Sequence, residues 1–188
     1  MSDLAAAKSA ARAAIRHTRA QRSAAERAEV AAALTQLASQ CPARSVAAYV
    51  PMRDEPGDLG VLDALAAGRR VVLPVIAGRG APLQWGEYAG ADALTDGPFG
   101  CRQPAADPAL SLADVEWVIV PALAVTAAGA RLGQGGGFYD RSLHGVPRER
   151  LVAVVHDDEI VATLPVDTHD VHVGAIASPA GLRRATTA

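Results

Sequence analysis

The sequence predicts an α/β protein folded as one domain. Three observations carry this. Residues 45–75 alternate a short β-rich run, an apolar helical pattern and a second β-rich run, the order of a βαβ unit. Residues 115–124 read Val-Glu-Trp-Val-Ile-Val-Pro-Ala-Leu-Ala, the strongest buried-strand pattern in the chain. The first forty residues are Ala-rich, and from 3 to 39 they contain neither Gly nor Pro, which favours helix. With 188 residues, half of them hydrophobic, the chain fills one substantial core. No internal repeat or composition break divides it, so residues 1–188 are taken as a single domain.

Residues 3–22 read as a helix with Leu4, Ala7, Ala11 and Ile15 on one side. Lys8, Arg12, Arg16, Arg19 and Arg22 recur at helical spacing and share a face within an arc of about 120°. Taken alone, such a face is a solvated basic stripe, and Arg16, Arg19 and Arg22 are assigned to the surface. Ser23 and Glu26 fit a capping box. They open a second helix that runs to about residue 39, where Cys41-Pro42 ends it. Residues 45–50 form a buried parallel strand. The loop 51–58 leaves its C-terminal end, the edge at which open α/β sheets bind ligands. Glu55 and Asp58 are candidate polar contacts in that loop. Residues 59–67 form a helix stopped by Gly68, and 70–75 the next strand, parallel to the first by a right-handed crossover.

Residues 77–114 are rich in Gly, Pro and Asp, with a strand over 83–88. Trp85, Tyr88 and Phe99 are able to stack on a flat ring, with core packing as the default. After the strand at 115–124, residues 138–143 start a short helix ended by Gly145 and Pro147. A further strand covers 151–155. His156-Asp157-Asp158-Glu159 is read as a helix start whose acids favour the dipole. The last strand is 173–177, and the tail after Pro179 is expected to be loose.

The stretch with chemistry in it is Arg131-Leu132-Gly133-Gln134-Gly135-Gly136-Gly137-Phe138-Tyr139-Asp140-Arg141. Glycine lets the backbone take positive φ and lets a ligand approach peptide N–H groups closely. A run of such groups entering a helix cradles anions. Arg131 and Asp140-Arg141 add a phosphate-pairing cation and a carboxylate able to hold a metal. The spacing excludes two common nucleotide loops: Phe138 stands where the dinucleotide fingerprint needs glycine, and Gly-Lys-Ser/Thr is absent.

Composition excludes other classes. A net charge of −2 gives no global field for nucleic acid or a membrane surface. No apolar run is long enough to span a bilayer, and the N-terminal residues contain no secretory h-region. Cys41 and Cys101 lack metal or redox spacing and read as plain thiols; the expected compartment is the cytoplasm. His17, His144 and His172 are scattered, against a zinc site, and no G-x-S-x-G elbow is present. Of the 18 basic residues only Lys8 is a lysine, and a compact ammonium at a phosphate oxygen is not well replaced by a guanidinium.

Pro121-Ala122-Leu123-Ala124, Gly129 and the stretch 131–141 together resemble the signature of the 5-formyltetrahydrofolate cyclo-ligase family. Further matches follow in order. Lys8-x-x-x-Arg12 resembles the family's N-terminal ATP contacts. Met52-x-Asp54-Glu55 resembles its folate loop, and Leu164-Pro165 through His169-Asp170-Val171 its C-terminal segment. Thr126 and Gly174 depart from it, since aspartate is usual at both positions; Pro56-Gly57 is also unusual.

The resemblance implies a three-layer α/β/α domain with a mostly parallel sheet and the N-terminal helices packed against it. It implies ATP- and Mg²⁺-dependent cyclisation of 5-formyltetrahydrofolate to 5,10-methenyltetrahydrofolate. Lys8 and Arg131 would be catalytic. Arg12, Leu132, Gly133, Gln134, Gly135, Gly136, Gly137, Phe138 and Tyr139 would join them in binding ATP. Val50, Glu55 and the residues from Gln134 to Phe138 would line the folate side, and Asp140 and Asp170 would hold Mg²⁺. The partners are then small molecules alone, neither nucleic acid nor membrane, and the chain a monomer. The departures at Thr126 and Gly174 motivate an alternative, a non-catalytic nucleotide- or folate-binding protein on the same fold. A third reading, by fold analogy to sugar-phosphate isomerases or CoA-transferases, requires chemistry without ATP.

Overall fold

Side chains that alternate between two buried faces set the layers of this molecule. The computed structural model describes residues 3–78, 80–167 and 170–186. Its elements in chain order are α1 (Asp3–Gln21), α2 (Ala24–Ser39), β1 (Ser45–Ala47), α3 (Leu59–Ala66), β2 (Arg70–Val75), β3 (Gln84–Glu87), β4 (Thr95–Asp96), β5 (Arg102–Gln103), β6 (Trp117–Pro121), β7 (Ala124–Thr126), β8 (Arg131–Leu132), α4 (Phe138–Ser142), β9 (Leu151–Val154), β10 (Ile160–Val161), β11 (Ala175–Ser178) and β12 (Gly181–Arg184).

The main sheet has seven strands in the order β12-β11-β9-β6-β1-β2-β3. The neighbours from β11 through β2 are parallel, and β12 and β3 close the two edges antiparallel. The crossover from β1 through α3 to β2 is the βαβ unit read from the sequence. On one face Val46, Val71 and Leu73 meet Leu62 and Leu65 of α3 and Ala38 of α2; Leu34 of α2 joins Val152, Val154 and Ala177 on the same side. The opposite residues of the same strands, Ala47, Val72, Val118, Val120, Leu151, Ala153 and Ile176, pack with Leu112, Leu143 and Val173. That second outer layer is built from short helical turns and a small sheet of order β10-β7-β8, not from long helices. Ser23 and Glu26 close the predicted capping box at α2, at 3.2 and 2.7 Å.

Three sequence expectations need correction. The run 115–124 is not one strand: β6 ends at Pro121, and β7 begins at Ala124 in a different sheet. Both pieces are buried and apolar, so the change of sheet leaves no mark in hydropathy. The tail is not loose: β12 pairs Gly181 to Arg184 with Ser178 to Ala175, because Gly181 at φ +126° allows the tight return. Asp58, a candidate polar contact, serves as the N-cap of α3, accepting from the Gly60 N–H at 2.9 Å. Finally, Arg16, Arg19 and Arg22 are not idle surface groups. They fasten α1 to loops at the carboxyl edge of the sheet.

Candidate active site

The basic face of α1 lies on the loops that follow the parallel strands. Arg19 is 2% exposed. Its Nε and Nη2 donate to the two carboxylate oxygens of Glu159, each at 2.7 Å, and Nη2 also donates to the carbonyl of Ala122 at 2.7 Å. Glu159 in turn accepts from the His156 N–H at 2.9 Å. The acidic run 156–159 therefore supplies a buried counter-ion, and only then a helical turn. Arg22 grips Asp158 through both oxygens, at 2.6 and 2.7 Å. Nearer the N-terminus, Arg12 Nε donates to the carbonyl of Gly133 at 2.9 Å, and Arg16 Nη2 donates to the carbonyl of Gln134 at 2.8 Å.

Those last contacts fix the glycine loop, and the loop explains its own spacing. A Cβ on Gly133 would stand 2.8 Å from Nη1 of Arg131. Gly135, at φ +97°, has the Arg12 guanidinium against it, and Gly137, at φ +65°, has Arg141. Each alternate glycine thus makes room for one guanidinium, and three cationic groups line a backbone that side chains would otherwise cover. Gly137 also precedes α4 in left-handed geometry, which other residues adopt at a cost. Arg141 lies 5.4 Å over the Phe138 ring.

The loop forms one wall of a cleft of ≈ 550 Å³. Val50, Glu55, Arg131, Gly133, Gln134, Gly135, Gly136, Gly137, Phe138, Tyr139 and Asp140 all line it. Leu132 does not; it is buried in β8. Lys8, Arg12 and Asp170 are outside the lining, but Arg12 touches the loop, and Lys8 Nζ pairs with Asp170 at 2.5 Å. Arg131 pairs with Asp140 at 2.5 Å. Each aspartate assigned to a metal therefore already holds one assigned phosphate cation. Among the described residues no group of three or more His, Cys, Asp or Glu side chains is poised to hold a metal. Two carboxylates nevertheless fit Mg²⁺, a hard ion that takes oxygen donors and shares its shell with substrate phosphates and water. Thr168 and His169 of the C-terminal matching segment lie outside the described residues.

Glu55 sits where two loops meet. Its Oε2 accepts from the Met52 N–H at 3.1 Å, and Oε1 accepts from Gln134 Nε2 at 3.2 Å. Gln134 is held in turn by Arg16, so sequence reasoning missed Arg16 as a support of the site; its place on the Lys8–Arg12 face was the available signal. Of the three candidate stacking aromatics, Trp85 is in the core. Tyr88 is buried, and its hydroxyl donates to Asp63 at 2.7 Å. Burial and that bond push the Tyr88 phenol up to about 12. Phe99 alone stands at the cleft, 55% exposed, with its backbone at φ +63° and its ring 6.0 Å from that of Phe138. Left-handed geometry at a bulky residue is strained and clusters at functional sites. The Tyr139 hydroxyl is buried against the cleft without a hydrogen-bond partner. Desolvation raises its pKa, so it remains a protonated donor.

Both departures from the family pattern have a local account. The Oγ1 of Thr126 accepts from the Ala130 N–H at 3.1 Å inside the β7–β8 turn, the service a short carboxylate gives such turns. At Gly174 a Cβ would meet the Arg148 carbonyl oxygen at 2.4 Å, so an aspartate has no room there.

Fold and cleft together define a class: an open, mostly parallel α/β domain with a cleft at the carboxyl edge of its strands, bounded by a glycine loop and its arginines. Residues 4–179 match the 5-formyltetrahydrofolate cyclo-ligase family. The chain is 44% identical over 144 residues to the 5-formyltetrahydrofolate cyclo-ligase of Mycolicibacterium smegmatis, covering 72% of this chain and 74% of that one. It is 32% identical over 146 residues to the enzyme of the same name from Escherichia coli K12, covering 73% and 79%. Its fold matches the 5,10-methenyltetrahydrofolate synthetase of Aquifex aeolicus with a TM-score of 0.82 at 26% identity, over 96% of this chain and 94% of that one. The chain belongs to the 5-formyltetrahydrofolate cyclo-ligase family and is an enzyme of the ligase type.

Proposed function

We propose that this enzyme converts 5-formyltetrahydrofolate to 5,10-methenyltetrahydrofolate with consumption of ATP and release of ADP and phosphate, as a monomer in the cytoplasm. The observation that carries the reading is the convergence of guanidinium groups on the alternate glycines of a loop that shares a cleft with Glu55. The formyl oxygen is a poor leaving group. It attacks the γ-phosphorus, the bond to the β,γ-bridging oxygen breaks, and ADP departs. N10 then attacks the activated formyl carbon, the carbon–oxygen bond breaks, phosphate leaves with the electron pair, and N10 releases its proton. The reaction needs positioning and charge neutralisation more than covalent help from the protein.

Each residue then has a task. Lys8, Arg12 and Arg131 neutralise phosphate oxygens, and the backbone N–H groups from Gly133 to Gly137 cradle them. Val50, Glu55 and Phe99 take the folate side, Phe99 by stacking on the pterin. Mg²⁺, when bound, is held by Asp140 and Asp170 and adds charge neutralisation at the phosphates. The pairs Lys8–Asp170 and Arg131–Asp140 supply the site with its own counter-ions while ligand is absent. On ligand binding the cations exchange carboxylate for phosphate, so no charge is left bare in either state. The sequence departures at Thr126 and Gly174, which motivate the non-catalytic alternative, are accommodated locally.

Purified protein mixed with 5-formyltetrahydrofolate, Mg²⁺ and ATP is expected to develop methenyltetrahydrofolate absorbance, and an ATP-free control is not. Folded protein that binds ATP yet forms no product would overturn the catalytic reading in favour of the binding-protein one.

A further inference from the structure

Arg16, one helical turn beyond Arg12 on α1, holds both the backbone and the side chain of one residue in the glycine loop. Its Nη2 donates to the Gln134 carbonyl at 2.8 Å and to Gln134 Oε1 at 3.0 Å, and its Nε donates to the same Oε1 at 3.2 Å. The amide nitrogen of Gln134 donates in turn to Glu55 Oε1 at 3.2 Å, while Glu55 Oε2 accepts from the Met52 N–H at 3.1 Å. The Glu55 N–H donates to the Met52 carbonyl at 2.9 Å. Segments far apart in the chain are thereby joined in one line: α1, the loop 131–137 and the loop 51–58.

The chemistry of the line fixes its direction. A guanidinium has only donors, a carboxylate only acceptors, and a primary amide carries both. Placing the amide oxygen on Arg16 leaves the NH₂ aimed at Glu55, so Gln134 is the adaptor between the two. The backbone is set by the same face of α1. Arg12 takes the Gly133 carbonyl and Arg16 the Gln134 carbonyl. Both peptides are trans, so the N–H groups of Gln134 and Gly135 point away from the helix. Arg16 and Gln134 are exposed and Glu55 half-buried. Contacts of this kind are individually weak, so the line opens and closes in the free protein, and a ligand that settles on either loop holds it closed.

We propose that Arg16 is a positioning residue that, acting through Gln134, couples the two halves of the cleft. A nucleotide that orders the loop 131–137 then presents Glu55 ready for the second substrate, which no longer has to order it. Linkage makes the effect reciprocal: the second substrate tightens the nucleotide by the same factor. The inference rests on the reading of Glu55 as a folate contact and of the glycine loop as the phosphate cradle.

The test measures the Kd of 5-formyltetrahydrofolate by calorimetry, with and without Mg²⁺ and the non-hydrolysable β,γ-imido analogue of ATP. In the wild type the analogue is expected to lower that Kd roughly fivefold. Arg16→Met should bring the ratio to about one, and Arg16→Lys, which keeps a donor for the amide oxygen, should retain about twofold. Gln134→Glu separates the relay from a simple tether. It still offers Arg16 an acceptor, but it withdraws the donor from Glu55 and sets carboxylate against carboxylate, so its ratio should also fall to about one. Urea denaturation verifies that each variant is folded. A tether alone would raise the separate Kd values in Arg16→Met and leave the ratio unchanged. That result, a wild-type ratio of one, full coupling in Gln134→Glu, or a lysine variant no better than methionine overturns the relay and leaves the folate and ATP readings intact. Folded wild-type protein that fails to bind 5-formyltetrahydrofolate or the analogue overturns the reading of that half of the cleft, and the relay falls with it.

Discussion

At Gly133, fold and chemistry meet in one atom position. The missing Cβ leaves space for Arg131, whose guanidinium is held by the Pro121 carbonyl at 3.3 Å and by Asp140. Gly133→Ala would push Nη1 from its place, since the new Cβ would stand 2.8 Å away. The displaced group is the end of a flexible side chain, so stability is expected to fall by no more than about 1 kcal/mol. Under the ATP reading, KM for ATP rises about tenfold and kcat falls, and Arg131→Lys gives the same pattern by removing the planar fork. Normal ATP kinetics in both variants would take Arg131 out of the site. Tyr139 offers a complementary case. Its hydroxyl is buried without a partner, so Tyr139→Phe is expected to leave the free protein as stable or up to about 1 kcal/mol more stable. Under the ATP reading, in which this hydroxyl completes its hydrogen bond on a ligand oxygen, the variant should lower kcat/KM. Urea denaturation beside steady-state kinetics separates the two effects, and a variant with full activity would make the orphan hydroxyl a packing accident. These positions were legible in the sequence because residues 131–140 are contiguous and carry an unusual spacing. Their reason was not, because which guanidinium abuts which glycine depends on chains brought together from α1, β8 and α4.

α1 shows where element-level reading succeeds and where it stops. Its extent followed from composition, and the shared face of Lys8, Arg12, Arg16, Arg19 and Arg22 from helical spacing. Periodicity cannot tell a basic stripe facing water from one facing carboxylates. The partner of Arg19 is 140 residues away in the chain, and no local pattern announces such a distance. The change of sheet after Pro121 and the edge strand β12 were hidden for related reasons: a buried apolar run looks the same in either sheet, and Gly181–Arg184 is an exposed edge bearing arginines. The Arg19–Glu159 pair has a measurable consequence. Both side chains are almost fully buried, at 2% and 5%, so removing one partner strands a charge. Arg19→Met or Glu159→Leu alone is expected to cost about 3–5 kcal/mol, and the double variant distinctly less than the sum. Additive losses in urea denaturation would mean that the two groups are not coupled in solution.

The molecule as a whole is held together in two ways. Its sheet is sealed by apolar layers on both faces. α1 is different: Arg19 is its only buried residue among the 19 of the helix, and its identified anchors are hydrogen bonds and ion pairs to loops. Apolar burial is the main stabilising term in folding, so α1 should open at a lower free energy than the sheet, as a local unit. Its anchors are also groups assigned to the ligand. Lys8 and Arg12 would exchange internal partners for phosphate, adding contacts that exist only in the bound state. Stabilisation by a ligand that binds only the closed form grows with its concentration as RT ln(1 + [L]/Kd). Hydrogen exchange in the free protein is therefore expected to be faster over 3–21 than over β1, β6 and β9. Added ATP and Mg²⁺ should slow α1 strongly and the central strands little. Because the opening is local, raising the salt concentration should accelerate exchange in α1 selectively, with the buried Arg19–Glu159 pair resisting longest. Equal protection across α1 and the strands, with no response to nucleotide, would mean that the helix is part of the rigid scaffold. The basic face would then hold the loops in place without reporting on the ligand.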